Sequence, residues 1–259
     1  MNRILLICVL MGCASKGIKR DVDDAPSWST KDGRTEAKIE LAEALVLNGT
    51  PEAALKMISQ MVEAGVRHPD LFVLQGRALT NMGLVDEAET ALTQATRRAP
   101  GHSEAQNRLG ILYMDQQRTE EAIRRFRMAT RSATKDADLH NNYGFALMAA
   151  GRHAEAVPVL RKALMLDGSQ DRTRNNLGFA LAVTGQDKAA WRVFRSSANE
   201  GNARYQLALA QELRGDNAAA LSSYRLALAK DPDLDEASEA IARLTQTTSS
   251  EVLSQEKEH

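Results

Sequence analysis

One spacing governs the whole chain: the same residue types return every 34 positions. Gly76, Gly110, Gly144 and Gly178 are each 34 residues apart, and Ala42 precedes the first of them by the same interval. A second column runs Ala54, Ala88, Ala122, Ala156 and Ala190. A third follows four residues later as Ile58, Leu92, Phe126, Leu160 and Phe194. Self-similarity at a fixed period of this length marks a stack of small supersecondary units, each unable to bury its apolar face alone. The physical reading is direct. Gly or Ala at two sites lets a pair of helices approach closely, and the large side chain one turn later fills the gap between them. Composition agrees with helices throughout, since aromatics are 4% of the 259 residues and prolines number six.

These columns carry a resemblance to the tetratricopeptide-repeat (TPR) family. Leu109-Gly110-Ile111-Leu112-Tyr113 is similar to its Leu-Gly-x-x-Tyr motif, and Ala122 with Phe126 to its Ala-x-x-x-Phe. Gly49, Gly83, Gly151, Gly185 and Gly215 fall at the turn between paired helices, where a left-handed residue is wanted. Pro100 and Pro232 occupy the family's proline before the next unit, while the family's Trp is replaced in every unit. The resemblance implies an all-α fold, a helix-turn-helix solenoid of about six repeats with a C-terminal capping helix. The units are 35–68, 69–102, 103–136, 137–170, 171–200 and 201–234. The fifth is four residues short, because Ala208 follows Gly178 by only 30. The sixth continues the second column with Ala220. Residues 235–247 read as the capping helix and 248–259 as a polar, disordered tail.

The amino terminus reads as an address. Arg3 precedes the apolar run Ile4–Met11, which as a helix would span ~12 Å against a ~30 Å hydrocarbon core, too short to cross a membrane. Residues 1–12 read as a signal peptide. Leu10-Met11-Gly12-Cys13 resembles a bacterial lipobox, which implies cleavage before Cys13 and acylation of that residue with chains such as palmitate. Residues 13–34 then comprise the acylated Cys and a flexible tether of ~25 Å root-mean-square span. Ala14 after the Cys implies the outer membrane, with the body facing the periplasm.

No catalytic constellation is present in the sequence. The five histidines are dispersed without metal-ligand spacing, and there is no phosphate-cradling loop or nucleophile elbow. Cys8 and Cys13 lie in the first thirteen residues, so no disulfide closes the body. No cofactor and no enzymatic activity are expected. A formal net charge of −1 gives no reason to expect nucleic acid. The basic stretch Arg124, Arg125, Arg127, Arg131 and Lys135 reads as a solvated face, with an anionic-lipid or acidic-partner patch as the sharper alternative.

The family resemblance places peptide recognition on the first helices of the repeats. By register, Asn142 and Asn176 stand where the family commonly puts an Asn that bonds a bound peptide's backbone, and Arg108 takes that place in the third unit. Beside them Asn107, Asn141 and Asn175 form a second column, with Ile111, Phe145, Phe179, Met114 and Met148 further along. Asn is a poor helix-interior residue, so the ladder favours binding, whereas the phenylalanines fit binding and packing equally. Protein partners presenting extended or helical apolar segments are expected. A lipobox ahead of such a stack, and the phrase Arg174-Asn175-Asn176-Leu177-Gly178, resemble the Tad/Flp-pilus TPR lipoproteins and pilotins. That implies a scaffold for assembly of a pilus or secretion machine. The rival readings are a peptidoglycan-enzyme adaptor and an outer-membrane biogenesis lipoprotein.

Overall fold

The computed structural model describes residues 33–255, with side chains through 246. The signal segment, Cys13 and nearly all of the expected tether lie outside the described residues. Thirteen α-helices and no strand are present among those described. None of the helices is long and apolar enough to cross a membrane.

The chain divides into two compact units at Ala146 and Leu147, inside one helix. The first unit holds α1 (Gly33–Leu47), α2 (Pro51–Glu63), α3 (Pro69–Asn81), α4 (Val85–Arg98), α5 (Ser103–Asp115), α6 (Thr119–Ser132) and most of α7 (Ala137–Ala149). The second holds the end of α7, then α8 (His153–Leu166), α9 (Asp171–Val183), α10 (Asp187–Arg195), α11 (Glu200–Leu213), α12 (Asn217–Lys230) and α13 (Asp235–Gln255). The helices alternate as first and second members of hairpins, and α13 stands last.

Each hairpin turns for a local reason. Gly83 closes the α3–α4 hairpin at φ 76°, a left-handed conformation that costs glycine nothing. In the α5–α6 hairpin the same position is Gln117, held at φ 61° and so in mild strain. Helix starts are equally legible: Pro51 and Pro69 sit in the first turns of α2 and α3, where a missing N–H costs nothing.

The three sequence columns form the core. Ala54, Ala88, Ala122, Ala156, Ala190 and Ala220 are all fully buried. So are Ile58, Leu92, Phe126, Leu160 and Phe194, each at most 1% exposed. Burying one such side chain contributes ~1.5–3 kcal/mol. Gly76, Gly110, Gly144 and Gly178 are buried as well. A methyl group on Gly110 would lie 2.7 Å from Phe126 Cε1, which is the close approach that the glycine permits. The short fifth repeat takes its deletion in the second helix, since α10 has 9 residues where α8 and α12 have 14. In the second unit α13 covers the last hairpin, its Ala237, Ala240 and Leu244 buried with Ala208, Ala220, Tyr224 and Ala227. It runs to Gln255, eight residues past the expected end of the capping helix at 247 and into the stretch expected to be disordered. The last four residues lie outside the described ones.

Candidate functional site

The candidate groove residues fall on α5 and α7 in the first unit and on α9 in the second. In the first unit, Asn142 donates from Nδ2 to Asn107 Oδ1 at 3.0 Å, linking α7 to α5. Both side chains are buried, at 6% and 7% exposure, and Asn141 beside them is at 6%. Asn107 and Asn142 therefore fasten α5 to α7. A buried carboxamide needs its partners, and here one ladder member supplies another. Arg108 is committed to its own helix, with Nε donating to Glu104 Oε1 at 2.6 Å. Ile111, Met114 and Phe145 remain half-buried.

In the second unit Asn176 is buried at 4%, whereas Asn175 is half-buried. Phe179 is half-buried and meets Phe194 edge-on, with ring centroids 5.9 Å apart and planes at 85°. That edge-to-face pair ties α9 to α10, so Phe179 packs within its own hairpin while part of its surface stays open.

Several residues that do structural work were not singled out in the sequence. His68 and His102, themselves 34 residues apart, are helix N-caps. His68 Nδ1 accepts from the Asp70 N–H at 3.3 Å, and His102 Nδ1 accepts from the Ala105 N–H at 3.1 Å. An Nδ1 that accepts leaves Nε2 to carry the proton, and His102 Nε2 lies 2.6 Å from Asp70 Oδ1, pinning α5 to α3. Asp136 and Asn199 take the capping role for α7 and α11. For His68, His102 and Asp136 the signal was the 34-residue period itself, read at the residues just before each first helix. Gln206 was missed for a different reason. It follows Asn176 by 30, so only the shortened register places it in the Asn142–Asn176 column. Its Oε1 is buried with no hydrogen-bond partner among the described residues.

Charged clusters join neighbouring hairpins. In the first unit Arg118 donates to Glu89 Oε2 at 2.6 Å and grips Glu121 through two nitrogens, while Tyr113 Oη donates to Glu89 Oε1 at 3.1 Å. Arg118 also lies over the Tyr113 ring, 4.1 Å from its centroid. Burial pushes the Glu89 carboxyl up, but the hydrogen bonds from Arg118 and Tyr113 together outweigh it and hold the pKa below its ordinary value. In the second unit Arg214 holds Asp187 and Asp216, and it depresses the Asp187 carboxyl against the effect of burial. These clusters use their charges on one another. No group of three or more His, Cys, Asp or Glu that could hold a metal occurs among the described residues.

A tetratricopeptide-repeat family model matches residues 73–136 and 107–172, and a second model of the same repeat matches 202–234. The chain is a tetratricopeptide-repeat protein. Solved structures agree on the TPR fold. YrrB, described as a TPR protein with an unusual peptide-binding site, matches 71% of this chain and 96% of its own at 20% identity, with a TM-score of 0.60. MamA from Desulfovibrio magneticus RS-1, beginning at its residue 41, matches 65% of this chain and 95% of its own at 20% identity, with a TM-score of 0.56. A further MamA crystal structure matches at 20% identity over 65% of this chain and 94% of its own, with a TM-score of 0.54. No curated protein sequence matches this TPR chain.

Proposed function

We propose that this TPR protein is a non-catalytic scaffold that captures a peptide segment of a protein partner along its first helices. The observation that carries the reading is the arrangement on α5 and α7. The buried Asn142–Asn107 bond fixes the two helices to each other, and Arg108, Ile111 and Phe145 flank it with part of their surface open. A rigid frame with partly open apolar and cationic side chains suits an extended or helical segment. YrrB, a fold neighbour, is described as having a peptide-binding site, which supports the same use here.

The scaffold works from a membrane. Cys13 ends an apolar run in lipobox order, and acylation there would hold the TPR body at the outer membrane, facing the periplasm. Anchoring turns capture into an effectively intramolecular event and raises local concentration without new contacts. A lipobox ahead of TPR units fits a lipoprotein that assists assembly of a pilus or secretion machine. The test is a pair of labelled variants. Cys13→Ser should abolish incorporation of radiolabelled palmitate and make the protein extractable from membranes by high salt. Phe145→Ala should leave it on the membrane and lower the recovery of crosslinked secretin or pilus subunits. Recovery of cell-wall enzymes in their place would redirect the scaffold to peptidoglycan.

A further inference from the structure

The second helices of the second unit carry a charge pattern that peptide capture does not use. Five residues after the buried Ala of each second helix stands an arginine: Arg161 after Ala156, Arg195 after Ala190 and Arg225 after Ala220. The same register gives Arg127 in α6, whereas α2 and α4 have Ser59 and Thr93 there. In the second unit the column is reinforced by Lys162 on α8 and by Lys188 and Arg192 on α10. All six side chains are exposed. Most buried residues of α8, α10 and α12 lie on the other side of each helix, Ala156, Leu160 and Ala163, Ala190 and Phe194, and Ala220, Ser223, Tyr224 and Ala227, while buried Val157 borders the face one turn before Arg161. Both α8 and α10 pack on α9, and both α10 and α12 pack on α11, so the three second helices form one layer with the cations turned outward.

Charge on this layer is one-sided. The three helices contain two carboxylates, Glu155 and Asp187. Each is already held by an arginine from outside them, Arg152 Nη2 at 2.7 Å from Glu155 and Arg214 at Asp187. Lys230, the remaining cation, lies 3.6 Å from Glu200. Among the described residues the six column cations make no ion pair or hydrogen bond. Yet the whole chain has a formal net charge of −1, so its acids are placed elsewhere. Exposed cations at neighbouring positions repel one another, a cost that salt screens and that an anionic partner removes.

We infer that the outward face of α8, α10 and α12 docks on an anionic lipid surface, its arginines and lysines meeting headgroup phosphates. Two observations select lipid over other polyanions. Apolar side chains are set among the cations: Met165, one turn after Arg161, is 79% exposed, and Leu226, beside Arg225, is 42% exposed. Apolar tips between long cationic side chains suit the boundary between headgroups and acyl chains. Nucleic acid would call for open aromatic platforms. The candidate, Trp191, is covered by Arg204, whose guanidinium carbon lies 3.9 Å from the ring.

The face is tested with the full chain and vesicles of neutral phosphatidylcholine, with or without about a third phosphatidylglycerol. Neutral vesicles read the contribution of any acyl chain, the anionic-to-neutral ratio reads the electrostatic part of binding, and its fall in the variant below assigns that part to this face. Wild-type protein should prefer the anionic vesicles, and the preference should fall as salt rises. The triple variant Arg161→Gln, Arg195→Gln, Arg225→Gln should lower that ratio roughly tenfold or more, each cation being worth about one kcal/mol near such a surface. The matching Arg→Lys triple should keep the ratio. Helicity by circular dichroism should be the same for all three proteins, because the substituted side chains are exposed. A wild-type ratio near unity, or a Gln triple indistinguishable from wild type, would overturn the assignment. So would a Lys triple that fails like the Gln triple, which would point to specific guanidinium recognition. Wild-type protein that ignores the vesicles but is retained by immobilised polyglutamate at the same salt would assign the face to an acidic protein and reject lipid.

Discussion

Gly110→Ala sets two well-measured effects against each other at one site. On an exposed helix the change stabilises by ~1 kcal/mol, because alanine loses less backbone entropy. At Gly110 the added methyl would sit 2.7 Å from Phe126 Cε1, 2.9 Å from Cδ1 and 3.0 Å from Cζ. Relaxed carbon contacts need ~3.5–4.0 Å, so the ring edge must retreat by about half an ångström to an ångström. Phe126 has 0% exposure, so its ring is enclosed by neighbouring side chains. Overpacking of this kind costs ~1–3 kcal/mol, and three ring atoms at 3.0 Å or less place the strain in the upper part of that range. The net expectation is a loss of ~1–2 kcal/mol, or several degrees in the thermal midpoint of a chain near this size. Thermal and urea unfolding followed by circular dichroism would measure it. A second arm isolates the cause: in a Phe126→Ala background the ring is gone and the methyl has room, so Gly110→Ala should become neutral or stabilising. Gly76→Ala should cost at least as much, since the methyl would meet Leu92 Cγ at 2.5 Å and Cδ2 at 2.7 Å. Ala208 shows that a repeat spaced for alanine accepts one, so the cost belongs to the spacing of α5 and α6. A Gly110→Ala protein that melts above wild type would refute the reasoning.

Other perturbations test separate parts of the structure. Gln117→Gly relieves the left-handed conformation at φ 61° and should stabilise by ~1 kcal/mol, seen as a higher melting midpoint. Asn142→Ala leaves Asn107 Oδ1 buried without the donor it now uses and should cost ~1–3 kcal/mol in urea unfolding, with peptide capture measured only under conditions where the fold persists. Glu89 has a folded pKa below its unfolded value, so its contribution is present above the ordinary carboxylate range and is lost as pH falls through the folded pKa. The stability difference between wild type and Glu89→Gln should therefore shrink on acidification; a difference that grows would contradict the assignment.

The fold was legible because its constraints recur. Gly110, Ala122 and Phe126 are three views of one contact, and the contact repeats every 34 residues, so the columns name the core directly. The site was less legible, since a polar residue in a column can face a ligand or a neighbouring helix and the period is the same for both. Asn142 shows this: its register suggested a peptide contact, and its amide bonds Asn107. Phe179 likewise spends its ring edge on Phe194. His68 and His102 escaped notice because histidines invite a search for metal ligands, whereas the backbone needed caps. Gln206 escaped because the shortened α10 shifts the register by four.

The central claim is capture of a protein segment along the first helices, and site-specific photocrosslinking tests it most directly. A photoreactive phenylalanine replaces Ile111, Phe145 or Phe179 in turn, and also Arg161 on α8, with the chain expressed in its native membrane. Protein adducts of one partner are expected from the three first-helix positions, and none from Arg161, which should instead label lipid. Protein adducts that form at Arg161 and fail at all three first-helix positions would contradict the account.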